Sequence, residues 1–399
     1  METPNSCLWS KLPIDIVTYL LERLSLLDFH RAKLVCSNWY VCSKQTARPK
    51  YGSPLLMLSP EGDGCCIYSP DEDRFYETKI DFSGIRILAS SGKWFLVADS
   101  RLTLFIIDVF GAKRIDLPPL ESIKGGRFRL ERVGDNSFKE RLDNNSAPFF
   151  FFQTSGDLRG FLWVDDKKEL EYVVVWYIRN SVSSRLGFCK NGQDHYREIS
   201  TKEFEISDMV LNGYMLYVLT DRDYIRVLDL SGKEVFKELS PSDKIQMHEL
   251  GRKSGETTDD IKISASNNIV VTTSGEVFLV RSVRYKSSRV TFRLYKRDLN
   301  PYPNGRFRLS STKLVEVDSL GNEALSMDLG ITVPADHTLG IQPNSIYFTR
   351  HDRMCRKPKS YRVSPPPNIC VFNLETKTLK HFSALSNLKL KDALWFFPS

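Results

Sequence analysis

The sequence predicts a mainly β chain with a short α-helical head, and three observations carry that expectation. Residues 8–46 repeat apolar side chains at helical spacing. Beyond about residue 53 the texture changes to short runs rich in Val, Ile, Phe, Tyr and Trp, separated by Gly, Asp, Asn and Ser clusters. Four of those runs share one pattern, so the β part is built from a repeated unit. Small β units that cannot bury both faces alone must stack. Radial stacking gives a β-propeller, expected with about six to eight blades. A sandwich or a set of barrels is the alternative, but echoes spread this far apart suit blades better than one sandwich.

The head comes first. Leu12-Pro13 opens it, because proline suits the first position of a helix, where its missing N–H costs nothing. Ile16, Val17, Leu20, Leu21 and Leu24 then form an apolar stripe at the helical period. Ser25-Leu26-Leu27-Asp28 interrupts it, and Asp28 is the expected cap of the next helix. Phe29, Ala32, Val35, Cys36, Trp39 and Tyr40 supply a second stripe, and Pro49 and the Pro54 region end the helical part. The expected domains are therefore 8–48 and 53–399.

The repeat begins with a turn residue and a short apolar strand. It occurs at Gly92-Lys93-Trp94-Phe95-Leu96-Val97, at Gly213-Tyr214-Met215-Leu216-Tyr217-Val218, at Gly275-Glu276-Val277-Phe278-Leu279-Val280 and at Asn344-Ser345-Ile346-Tyr347-Phe348-Thr349. A second strand follows, and three of these end alike: Ile107-Asp108-Val109, Leu228-Asp229-Leu230 and Phe372-Asn373-Leu374. If the ring closes, Leu55-Leu56-Met57-Leu58 should lie beside strands within 368–382, since an open edge is costly. Loops 121–147, 240–260, 300–312 and 350–367 absorb the unequal spacing, and long loops are where binding concentrates.

Composition excludes several classes. The 399 residues are 41% hydrophobic, enough for a sizeable core. The formal net charge of +7 is mild for this length, and Lys and Arg are interleaved with Asp and Glu, so nucleic acid is not the expected partner. No stretch reaches the length of a membrane span, and residues 1–11 hold no apolar run of a secretory signal. The eight cysteines show no paired metal spacing or disulfide framework, and the six histidines have no metal-type neighbours. Free thiols in a reducing compartment, nucleus or cytoplasm, are expected, with no metal and no cofactor. Ser91-Gly92-Lys93 and Ser231-Gly232-Lys233 lack the upstream glycine of a phosphate loop, and His351-Asp352-Arg353 lacks the downstream asparagine of a kinase loop.

The segment Trp9-Ser10-Lys11-Leu12-Pro13-Ile14-Asp15-Ile16 with Leu20, Leu24 and Asp28, followed by Val35-Cys36-Ser37-Asn38-Trp39, resembles the F-box. The β part resembles the propeller of a large plant F-box family, the KIB type. That resemblance rests on Pro54-Leu55-Leu56-Met57, on Asn344 to Thr349, on Val371-Phe372-Asn373-Leu374-Glu375 and on Leu394-Trp395-Phe396-Phe397-Pro398. One departure is visible: the aspartate usual after the Ile-Tyr-Phe-Thr stretch is replaced by Arg350.

The resemblance implies a non-catalytic adaptor of a Skp–cullin–F-box ubiquitin ligase. The head would bind a Skp-type linker, and through it a cullin, while the propeller recruits a protein target. Leu12, Pro13, Ile16, Leu20, Val35, Cys36 and Trp39 are the expected adaptor-binding residues, and Leu20, Val35 and Trp39 could equally pack inside the module. A non-degradative interaction protein that sequesters or inhibits its target is the alternative. A small-molecule or enzymatic propeller would need a polar or metal-binding cluster at the channel. For the target, Arg353, Arg356, Lys357 and Tyr361 are the expected contacts, in a basic loop that also carries Arg350, Lys359 and Arg362 and is stiffened by three prolines at 365–367. The same run could serve as a nuclear address, or simply be a solvated connector.

Overall fold

The computed structural model describes residues 8–24, 26–46, 52–62, 64–78, 80–111, 113–126, 128–135, 137–142, 150–152, 158–165, 167, 170–179, 184–200, 205–232, 237–241, 262–287, 289–297, 314–350, 353–354 and 368–398. A 3₁₀ turn at Leu8–Lys11 leads into α1 (Ile14–Arg23), α2 (Leu26–Ala32) and α3 (Ser37–Gln45). Pro13 precedes α1, and its carbonyl accepts from Ile16 and Val17 N–H at 3.1 Å each. The second apolar stripe divides into two helices because the chain turns extended at Cys36, φ −165°. Asp28 is not the cap expected of it: α2 already starts at Leu26, and Asp28 pairs with Arg31 one turn on, at 3.6 Å. Val17, Leu21, Phe29, Ala32, Trp39 and Cys42 fill the small core.

The β part is a ring of six blades among the described residues. β1 (Leu55–Pro60), β2 (Cys66–Ser69) and β3 (Arg74–Glu77) begin the first. β4 (Arg86–Ser91), β5 (Trp94–Ala98), β6 (Leu104–Asp108) and β7 (Arg114–Asp116) form the second. A separate three-stranded sheet is inserted next, from β8 (Phe128–Gly134), β9 (Ser137–Leu142) and β10 (Phe150–Phe152). The third blade is β11 (Leu158–Asp165), β12 (Glu171–Arg179), β13 (Ser184–Lys190) and β14 (Arg197–Ile199). The fourth is β15 (Ile206–Asn212), β16 (Met215–Thr220), β17 (Ile225–Asp229) and β18 (Lys237–Pro241). The fifth is β19 (Lys262–Val271), β20 (Val277–Tyr285), β21 (Val290–Arg297) and β22 (Leu314–Val317). The sixth holds β23 (Glu323–Ser326), β24 (Ile331–Pro334), β25 (Ser345–Phe348), β26 (Cys370–Asn373) and β27 (Leu379–His381). It joins the fifth through a single parallel bridge, Val271 to Ile331.

β28 (Leu390–Phe396) closes the ring by pairing antiparallel with β1, Leu55 opposite Phe396 and Leu56 opposite Trp395. The closing partner thus lies beyond the expected 368–382, because β26 and β27 are already used as outer strands of the sixth blade. β28, β4, β11, β15, β19 and β24 follow one another around the inner ring. Apolar residues of each blade pack on the next: Val173, Val175 and Tyr177 of the third share one core with Met209, Leu211 and Leu216 of the fourth.

The sequence echo has a local cause. The four repeats are β5, β16, β20 and β25 with the turns before them. At the ends of the following strands Asp108, Asp229 and Asn373 each accept from the N–H two residues on, at 2.8–2.9 Å. Short acceptor side chains in that position fold the backbone into a tight turn. The next residues, Val109, Leu230 and Leu374, are buried, and their N–H groups donate back to the carbonyls of Lys93, Tyr214 and Asn344.

Candidate partner-docking surfaces

The helical head leaves much of its apolar surface uncovered. Fourteen large hydrophobic side chains are exposed among the described residues, and eight are here: Trp9, Ile14, Ile16, Tyr19, Leu34, Val35, Tyr40 and Val41. Isolated exposed hydrophobics are ordinary, but a module of this size with such a concentration carries an apolar surface its own core does not cover. Of the expected adaptor-binding residues, Ile16 (46% exposed) and Val35 (49%) belong to that surface. Pro13 is exposed, and Leu12, Leu20 and Cys36 are half-buried against the core. Trp39 turns inward, 6% exposed, and its indole N–H donates to the Trp9 carbonyl at 3.0 Å. It supports the surface from beneath. Ile14, Tyr19, Leu34 and Val41 add to that surface from outside the two apolar stripes, whereas Ile16, Val35 and Tyr40 lie on the stripes yet face solvent, so periodicity alone did not separate the buried side from the exposed one.

The head sits on the propeller end that carries the turns opening β5 and β7. His30 stacks on Phe110, ring centroids 4.3 Å apart, and the Arg31 guanidinium lies 5.0 Å from the Tyr76 ring centroid. Tyr76 donates to the Glu72 carboxylate, and its hydroxyl is pushed up to about 12 by burial and by that carboxylate.

The segment between β25 and β26 leaves from the opposite end, since β25 runs away from its opening turn. Its two feet are joined by Asn368 N–H donating to the Thr349 carbonyl at 2.7 Å. Arg350 pairs with Asp392 of β28 at 3.1 Å. Arg353 departs from expectation. It is not displayed on a loop but reaches across to the inner strands, where its Nη2 meets the Asp208 carboxylate at 3.0 Å and the Ile269 carbonyl at 2.7 Å. The pair is 9% and 0% exposed. A buried carboxylate needs a charge partner, and Arg353 supplies one. Met354 follows into the core between the third and fourth blades. Arg356, Lys357 and Tyr361 lie outside the described residues.

Asp328 is half-buried at the closing seam. It accepts from Trp395 N–H at 3.0 Å and from Thr349 N–H and hydroxyl at 3.1 and 3.0 Å, and burial pushes its carboxyl up to about 6. Cys370 and His381 approach to 3.1 Å, but burial pushes the thiol up to about 12, so a reactive thiolate is not favoured there.

A helical head with an uncovered apolar surface, joined to a closed ring of blades, defines an F-box protein with a β-propeller. The F-box domain description matches residues 9–48, and the KIB1-4 beta-propeller description matches residues 67–373. The chain belongs to the F-box proteins that carry this KIB1-4 propeller. Relatives in Arabidopsis thaliana run nearly end to end with it. F-box protein At5g25290 is 50% identical, the match spanning 98% of this chain and 97% of that one. F-box protein At2g14290 is 43% identical over 100% and 99%. F-box protein KIB4 is 32% identical over 100% and 98%.

Proposed function

We propose that the chain is the substrate-recognition subunit of a Skp–cullin–F-box ubiquitin ligase, without chemistry of its own. The observation that carries the reading is the apolar surface of the head. A module of about 40 residues has little interior, and burying spare apolar surface against a partner's helices stabilises both. Ile16 and Val35, flanked by Leu12, Pro13, Leu20 and Cys36, form the Skp-type adaptor contact, extended by Ile14, Tyr19, Leu34, Tyr40 and Val41. Trp39 holds the ridge in shape. The cullin is reached through the adaptor, and the propeller holds a protein target.

Ile16→Asp combined with Val35→Asp tests this. Both side chains already face solvent, so thermal unfolding should stay within a few degrees of the parent. Capture of a purified Skp-type adaptor should fall at least tenfold, equivalent to about 1.4 kcal/mol. Undiminished capture by a folded variant sinks the assignment.

A further inference from the structure

The fifth blade concentrates the positive charge of the molecule. Residues 262–297 contain eight basic side chains, Lys262, Arg281, Arg284, Lys286, Arg289, Arg293, Lys296 and Arg297, and one acidic one, Glu276. That excess equals the formal +7 of the whole chain, so the remainder is balanced. Strand alternation sorts these residues. Leu279 and Tyr295 pack toward the fourth blade, whereas Val280, Phe292 and Leu294 pack toward the sixth. Arg281, Arg293 and Arg297 share the parity of Leu279 and Tyr295, so they fall on the face turned to the fourth blade. Arg289 lies over the ring of Tyr285, a residue of the same parity, 4.3 Å from its centroid.

Two features set this face apart from a solvated mixed-charge surface. Arg281 stands directly opposite Arg293 across the β20–β21 ladder. Like charges in that position destabilise a sheet unless an anion compensates them. Glu316, which stands opposite Tyr295 on β22, approaches Arg293 at 3.8 Å. In addition, β19, β20 and β21 have ten, nine and eight residues, longer than the five or six of β4, β5 and β6. Ile263, near the start of β19, is exposed, and so is Lys286 at the tip of the β20–β21 hairpin. Beside these arginines, β22 pairs with residues 294–297 of β21, and the outer edge of residues 290–292 has no strand partner among the described residues.

We infer that this face of the fifth blade docks an acidic, extended segment of the target protein. The inference deepens the proposed recruitment role and rests on it. Planar guanidinium groups match carboxylates bidentately, tyrosines add contact area, and a strand edge with no strand partner among the described residues offers backbone pairing to an extended chain. A rigid nucleic-acid duplex would leave that edge unused.

The test uses the full chain bound to a purified Skp-type adaptor, with a fluorescein-labelled polyglutamate peptide as probe. Arg281→Ser with Arg289→Ser should weaken peptide binding about tenfold at low salt and flatten its salt dependence. Carbodiimide cross-linking of the peptide to the unmodified chain needs no variant, and should capture Lys286 and Lys262. Unchanged affinity in the folded double variant, or capture on other blades, overturns the inference. Tighter binding of a mixed-sequence DNA duplex, with displacement of the peptide, also overturns it and puts nucleic acid in its place. Adaptor capture is read separately, so a failed ligase assignment is distinguishable from a failed docking site.

Discussion

Arg353 carries the clearest residue-scale lesson. In the sequence it is one cation in a basic run, and such runs are usually solvated. In the structure it neutralises Asp208, whose carboxylate also accepts from Ile269 N–H at 2.8 Å, so one ion pair ties β15 to β19. Removing one partner of a buried pair leaves an uncompensated charge. Arg353→Ala should therefore destabilise the propeller by about 3–5 kcal/mol, read as a lowered midpoint in urea unfolding with adaptor capture intact. A loss below about 1 kcal/mol, the value of an exposed pair, would show that Arg353 is solvated after all. The partner could not have been read from the sequence, because Asp208 is 145 residues away.

At the scale of elements, periodicity was a reliable guide wherever one face is buried. The stripe from Ile16 to Leu24 became α1 and its C-cap, and the four echoed runs became the second strands of their hairpins or an equivalent position. Closure was legible as a need but not as a pairing. β28 reads no differently from an ordinary outer strand, yet it lies between β1 and the inner strands of its neighbours, and Trp395 is fully buried beside Tyr347, ring centroids 5.1 Å apart. Deleting residues 390–399 exposes the inner edge of β1 and empties that core. Calorimetry should then show the whole propeller transition lowered by more than about 10 °C, since losing one large aromatic alone costs about 3–5 kcal/mol. A truncated chain melting at the parent temperature would mean that the blades do not depend on the closed ring.

For the whole molecule, the relation of head to ring decides how an adaptor would present a target. The head touches the ring through the His30–Phe110 stack and the Arg31–Tyr76 contact, at the end opposite the departure of the β25–β26 segment. An aromatic stack contributes about 0.5–1.5 kcal/mol, enough to bias an orientation but not to hold a fold together. Phe110→Ala should leave adaptor capture and propeller melting nearly unchanged. Spin labels placed on α1 and the fourth blade should report a broader distance distribution than in the parent. An unaltered distribution would assign the orientation to the chain connection alone.

The sequence by itself determined the two-part organisation, the helical and β periodicities and the F-box and propeller character. These depend on local spacing and on motifs contained within a few tens of residues. It also held the charge concentration in 262–297, visible by counting yet masked by an interleaved average. The tertiary structure decided which apolar residues of the head face inward, which strand closes the ring, that Arg353 is an internal tie, and that Arg281 and Arg293 stand side by side. Each of those depends on pairing between residues far apart in the chain. Such pairing is fixed by ring closure and burial, and no local pattern encodes it.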